Sequence, residues 1–368
     1  MKRSTTGLVA AAMAVAGTLL GAGIAAAQTV PLQIPFLEEW AASPHARATE
    51  EPFTHWNDDG LVPVPCARCH STAGFRDQIG ADGTPPGLDG PHLPSPGIQC
   101  VACHNAAARA MTAVTFPSGA EVTGLGPEAR CMTCHQGRES TVSVNKALQG
   151  KPDDAVDGKL HFINIHYRAA GATRYGTQVK GGYEYAGKTY AGYFQHNSKA
   201  NSCQDCHGLH TVRVMPEVCA GCHKKTKIAA RSDLAAIRHK APDYDGDGDV
   251  KEGVAAEIAG LQQALLAAIA AYGREQAKAP IVYDGHAYPY FFNDRGNDGK
   301  AGPGEAIYPN RYQSWTPRLL RAAYNYQFAL KDPGAYTHNP AYVAQLLQDS
   351  LADLGSKVTV DMKGMVRP

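Results

Sequence analysis

The chain holds 368 residues, with 35 Lys and Arg against 34 Asp and Glu, for a formal net charge of +1. That balance offers no basic excess with which to grip nucleic acid. Hydrophobic residues make up 44% of the chain, enough for a packed core, and its ten cysteines are too many to leave unexplained.

The opening, MKRSTTGLVAAAMAVAGTLLGAGIAAAQTV, runs from a basic start through an apolar stretch to Ala25-x-Ala27. This is the pattern of a cleaved secretory leader. The mature chain is expected to begin at Gln28, the leader has no Cys for lipid attachment, and no later run reads as apolar enough to span a bilayer. The protein is therefore expected to be exported, to the periplasm or the cell surface. A short helical stretch is expected around FLEEWAASPHARA.

The cysteines all lie in one pattern, Cys-x-x-Cys-His. It occurs at Cys66/Cys69/His70, Cys100/Cys103/His104, Cys131/Cys134/His135, Cys203/Cys206/His207 and Cys219/Cys222/His223 (motifs I to V), and it uses every Cys. Cys-x-x-Cys alone serves zinc sites and redox dithiols equally well. The His decides, because zinc gives no reason for one after every second Cys, and five pairs would leave one without a partner in four-cysteine sites. The economical reading is c-type haem, with both sulfurs bonded to the porphyrin and the imidazole as proximal iron ligand. Five covalently bound haems c follow, and no thiol remains for disulfides. Their ten propionates should make the loaded protein acidic despite its balanced side chains.

Between the motifs the sequence is dense in Gly and Pro, as in GADGTPPGLDGPHLPSPG, which argues for loops wrapped on haem faces. Two hairpins are expected, in AVTFPSGAEVTG and GYEYAGKTYAGYF. From about residue 228 the composition changes. Val250, Val254, Ile258, Leu261, Leu265, Ile269 and Tyr272 recur at helical spacing, as do Leu320, Tyr324 and Phe328, then Tyr342, Leu346, Leu347, Leu351 and Leu354. The expected organisation is a leader at 1–27, a loop-rich haem-packed region with few short strands at 28–227, and a mostly α-helical region at 228–368. In the haem region the porphyrins themselves would supply much of the apolar interior.

Two acidic loops fall in the last region. DYDGDGDVKEGV sets Asp243, Asp245, Asp247 and Asp249 at alternate positions with Gly248 at the turn, the first half of an EF-hand-type calcium loop. Val254 stands where the twelfth-position Glu belongs, so Glu252 or Glu257 would complete the set. In DRGNDGKAGPGE, Asp294, Asp298 and Glu305 fall at positions one, five and twelve, but Gly296 replaces the third ligand. Ca2+ at either loop would be structural.

Of the fifteen His, five are proximal, leaving ten to complete five irons. His45, His55, His166, His196 and His210 are the expected distal ligands, with His338, at the opening of a helix, next in line ahead of His92, His161, His239 and His286. His210 follows His207 too closely to reach the far side of the same iron, so it is expected to serve a neighbour. Met111 and Met215 are alternatives, though His is abundant.

The five motifs, the leader and the surplus His resemble a multihaem, specifically pentahaem, c-type cytochrome of the respiratory or extracellular electron-transfer type. WAASPHA and the helix-opening HNP are also similar to elements of the larger multihaem group that includes nitrite and hydroxylamine enzymes. The sequence departs from nitrite reductase, whose catalytic haem usually has Lys in place of the motif His. The resemblance implies an electron carrier without substrate turnover, acting with redox partner proteins or extracellular acceptors. The alternatives are a reductase of nitrite, hydroxylamine or a sulfur oxyanion with one open iron, and the subunit of a homopolymeric conductive filament.

Overall fold

In a computed structural model of the chain, residues 33–238 and 240–368 are described. The expected leader and His239 lie outside them. Residues Glu38–Pro368 form one compact unit.

Each motif folds into a helical turn: α1 (Val64–His70), α2 (Cys100–Cys103), α3 (Glu128–Cys134), α4 (Cys203–Cys206) and α5 (Pro216–Cys222). One turn is what the spacing requires. Residues i, i+3 and i+4 share a helix face, so the two sulfurs and the imidazole point the same way. The bond from the His N–H to the first Cys carbonyl closes the turn, at 2.8 Å in motif II and 2.9 Å in motifs III, IV and V. Pro65 and Pro216 sit in the first turns of α1 and α5, where a missing N–H costs nothing.

Upstream, the expected helical stretch is a short helix, Leu37–Ala41, followed by a single 3-10 turn, Pro44–Ala46. The first expected hairpin forms as β1 (Val114–Thr115) antiparallel to β2 (Glu121–Val122), with Val114 opposite Val122. The second does not form. Side chains claim the backbone of residues 183–191 instead: Asn325 accepts from Tyr183 N–H at 2.7 Å and donates to its carbonyl at 2.9 Å, Thr141 Oγ1 accepts from Glu184 N–H, and Gln345 Oε1 from Ala191 N–H. Those groups are no longer available for a cross-strand ladder. A hairpin that the pattern did not announce joins β3 (Ile281–Tyr283) to β4 (Phe291–Asn293), whose three-residue strands are too short to show alternation.

The C-terminal region is a bundle of α6 (Val254–Glu275), α7 (Pro317–Lys331) and α8 (Pro340–Gly355). Thr316 and Asn339 cap α7 and α8, each followed by Pro at the first helical position. The expected stripes are buried, with Leu261, Leu265, Ile269, Leu320, Phe328, Leu347 and Leu351 at 0% exposure. Each such side chain contributes about 2 kcal/mol of transfer free energy. Val250 is the exception: it precedes the helix and is 59% exposed. Helix α6 is long and apolar enough by length and composition to cross a bilayer, which the reading of later runs had discounted. Its Leu and Ile face is built into the bundle core.

The haem-motif and helical regions, distinct in composition, share one core. Phe116, Met132, Ile165 and Tyr175 belong to the same buried cluster as Leu265, Leu320 and Leu347. Ion pairs tie the connection: Arg318 Nε meets Asp154 at 2.7 Å, Arg321 meets Asp153 at 2.8 Å, and both guanidinium groups meet Asp353 of α8.

Candidate haem centres

Among the described residues, each motif His has the ring of another His facing it. His70 pairs with His166, His104 with His210, His135 with His45, His207 with His338, and His223 with His196, at ring-centre separations of 5.8, 6.0, 6.3, 6.5 and 6.0 Å. A metal–imidazole bond is about 2 Å long, so two imidazoles sharing one metal place their nitrogens about 4 Å apart and their ring centres about 6 Å apart. The His70 and His166 Nε2 atoms lie 3.5 Å apart. The residues therefore fit five bis-His irons.

The other ring nitrogen fixes which one is offered. Nδ1 of His70, His135 and His207 meets a backbone carbonyl, of Pro52 at 2.7 Å, Arg168 at 3.0 Å and Val212 at 3.3 Å. Each such Nδ1 donates its proton, leaving Nε2 as the lone-pair donor. Nδ1 of His338 instead meets the carboxylate of Asp332. Burial holds His45 and His166 down to about 4, helped by the facing His135 and His70. Both are thus in the neutral, ligating form at ordinary pH.

The backbone is shaped around these rings. His166 and Arg168 both take positive φ, 77° and 56°, which turns the His166 ring toward motif I while the Arg168 carbonyl serves motif III. Gly97, at φ +87°, lets the chain pass the His45 carbonyl, which accepts from Ile98 N–H at 2.7 Å; a Cβ there would sit 2.3 Å from that oxygen.

His55, expected among the distal ligands, faces no motif His. Its ring is exposed, with Nδ1 2.7 Å from Glu51, and it packs edge-on against Trp56, whose indole stands between it and His70. His338 takes the fifth place. Of the lower-ranked residues, His92 binds the fully buried Asp77 carboxylate at 2.8 Å, His161 and His286 are exposed, and Met111 packs against the core. Asp332 was not anticipated; nothing in its sequence separates it from other acidic turn residues.

The motifs adjoin one another out of sequence order. Cys134 Sγ reaches the Arg68 carbonyl of α1 at 3.7 Å, joining I to III, and Glu128 at the start of α3 accepts from Cys203 N–H, joining III to IV. Met215 N–H bonds the Cys206 carbonyl at 2.9 Å, tying V to IV. Motif II lies beside both III and IV: Arg130 of α3 donates to the Cys103 carbonyl at 3.3 Å, and His210 comes from the loop after His207. Glu128 of α3 pairs with Arg174 at 3.1 Å and accepts from Cys203 N–H at 3.3 Å.

The first acidic loop gathers two overlapping carboxylate groups, Asp243/Asp245/Glu257 and Asp245/Asp247/Glu252, each with ligand oxygens within 4.8 Å of one another. Asp249 is not among them; its carboxylate accepts from Lys251 N–H at 2.8 Å. Burial and the neighbouring carboxylates of Asp247, Glu257 and Asp243 push Asp245 up to about 6, against a bond from Asp247 N–H. Glu257 is fully buried and paired with Arg238. In the second loop Asp294, Asp298 and Glu305 do not converge. Glu305 accepts from the N–H groups of Arg295, Gly296 and Gly302, Asp294 from Asp298 and Gly299, and Asp298 from Lys300. A further group of Asp77, Asp89 and His92 was not foreseen.

Across 91% of its length the chain is 30% identical to the C-type polyheme cytochrome OmcC of Geobacter sulfurreducens, and across 81% it is 29% identical to the C-type polyheme cytochrome OmcB of the same organism. The chain is similar to multihaem c-type cytochromes. It spans about half the length of these relatives, 48% and 45%. No family model matches the chain, and no solved structure does.

Proposed function

We propose that this chain carries five covalent haems c, all bis-His ligated, and works as an exported electron carrier between redox partners, including extracellular acceptors. The one-to-one pairing of five motif His with five others supports this reading. His70/His166, His104/His210, His135/His45, His207/His338 and His223/His196 hold the irons of motifs I to V. When bound, each iron exchanges one electron between its ferric and ferrous states. The chain keeps both imidazoles in place in either state, so little rearrangement accompanies transfer, and the motif contacts order the path I–III–IV–V with II beside III and IV. With every described pairing filled on both sides, no position is left for a substrate, which favours a carrier over a nitrite, hydroxylamine or sulfur-oxyanion reductase. Self-sufficient pairing within one chain likewise removes the need for a His donated by a neighbour in a filament.

Asp243, Asp245, Asp247 and Glu252 are proposed to hold a structural Ca2+, while Glu257, whose carboxylate is taken up by Arg238 and two backbone N–H groups, braces the loop. A buried oxygen of Glu252 without a partner and the raised Asp245 carboxyl support this, since a divalent cation relieves both.

The test is a pair of variants. The denatured mature protein should exceed its polypeptide mass by five haems, because thioether links survive unfolding. H338A should then convert one haem to high spin by electron paramagnetic resonance and admit carbon monoxide to its ferrous form, while H55A should leave all five low-spin. A high-spin haem in the parent with sustained turnover of nitrite or hydroxylamine would overturn the carrier reading.

A further inference from the structure

Among the described pairings, that of motif IV is set apart by what lies behind it. Asp332 is 2% exposed and both carboxylate oxygens reach His338 Nδ1, at 2.9 and 2.8 Å. Gly334 N–H donates to Asp332 at 3.1 Å. Gly334 gives the ring its room, because a Cβ there would stand 2.6 Å from His338 Cε1. The carboxylate is thus fixed in place and dry, with the imidazole as its charged-bond partner. Nδ1 of His70, His135 and His207 faces only a neutral carbonyl.

The difference has a direction. A carboxylate accepts a charge-assisted bond, roughly twice as strong as a neutral one. It draws the Nδ1 proton and makes Nε2 a stronger donor to the metal. A stronger donor, and a buried negative charge at low dielectric nearby, both favour the ferric ion over the ferrous. We infer that Asp332 acts as a positioning residue that holds the haem of motif IV at a lower reduction potential than carbonyl-backed ligation would give. The inference rests on His338 being the second ligand of that haem. Since motif IV adjoins II, III and V, the chain would carry its step in potential at the branch point.

The test uses the holoprotein in a spectroelectrochemical titration. D332N keeps the shape and removes the charge. One component should move to higher potential by about tenfold in its ferric to ferrous ratio, 59 mV for one electron, with every haem still low-spin. D332A removes the carboxylate altogether, should move the same component in the same direction, and serves if D332N fails to mature. Unmoved components in the variants that mature, or movement only together with a new high-spin signal, would overturn the inference. H338A separates the two levels: if it leaves all haems low-spin, the ligand assignment itself fails, whereas a high-spin haem in H338A beside unmoved D332N and D332A potentials rejects only the role of Asp332.

Discussion

Glu257→Gln should destabilise the helical region by about 3 kcal/mol while leaving the haem spectra intact. The carboxylate is fully buried in α6 and every partner it has is a donor: Arg238 Nη1, Tyr244 N–H at 2.6 Å and Asp245 N–H at 3.2 Å. Arg238 in turn gathers the carbonyls of Ala241, Pro242 and Glu252, so this one side chain seats the whole acidic loop on the helix. Gln fits the space but offers a single acceptor oxygen, so at least one donor must face an NH2 group. A hydrogen bond to a charged group is worth about 1.5–3 kcal/mol and a stranded buried donor costs about 1–3. Breaking a buried ion pair costs about 3–5 kcal/mol in all, and Arg238, 11% exposed, recovers part of that from water. The measurement is denaturant unfolding followed at 222 nm, with the Soret band monitored in parallel and chelator present. A change below about 0.5 kcal/mol, the range of ordinary surface substitutions, would refute the claim that Glu257 anchors the loop.

Two other outcomes are expected. Asp245 has its folded carboxyl raised to about 6, so in chelator the fold loses stability as pH rises from about 4 through 6, by about 1 kcal/mol once its exposure is allowed for; added Ca2+ should cancel this loss, and parallel melts with Ca2+ and with chelator across that window would show it as a gap that widens with pH. Gly97→Ala, at positive φ and against the His45 carbonyl, should displace His45 and give a partial high-spin signal from motif III, whereas Gly90→Ala, in open space, should not; equal spectra for both would discard the account.

The haem motifs were legible because their chemistry and their local structure share one spacing: a single turn from Cys to His is enough, whatever the rest of the fold does. The bundle was legible for a similar reason, since Leu261, Leu265 and Ile269 repeat on one face. Distal ligation depends on which segments meet across long stretches of chain. His55 looked as good as His45 in sequence, yet Trp56 and Glu51 occupy its ring, while His338, far downstream, is delivered by a separate helical turn, Ala335–His338, just before α8. The second hairpin failed on the same ground, because Asn325 and Gln345 from distant helices compete for its backbone. Acidic spacing alone does not tell the two loops apart: among the described residues only the first brings three carboxylates within 4.8 Å of one another.

Motif IV stands between III and V, and of the five imidazoles that face a motif His only that of His338 comes from the helical region, on the short turn Ala335–His338 that leads into α8. In circuit terms the proposed path is a line with one side branch, and IV is the junction where it can be cut. Loosening α8 enough to withdraw His338 would strand V from I, II and III without disturbing any thioether. Conduction through the far end would thus fail before the chain unfolds, and the integrity of a bundle that bears no haem motif would decide whether the line is whole.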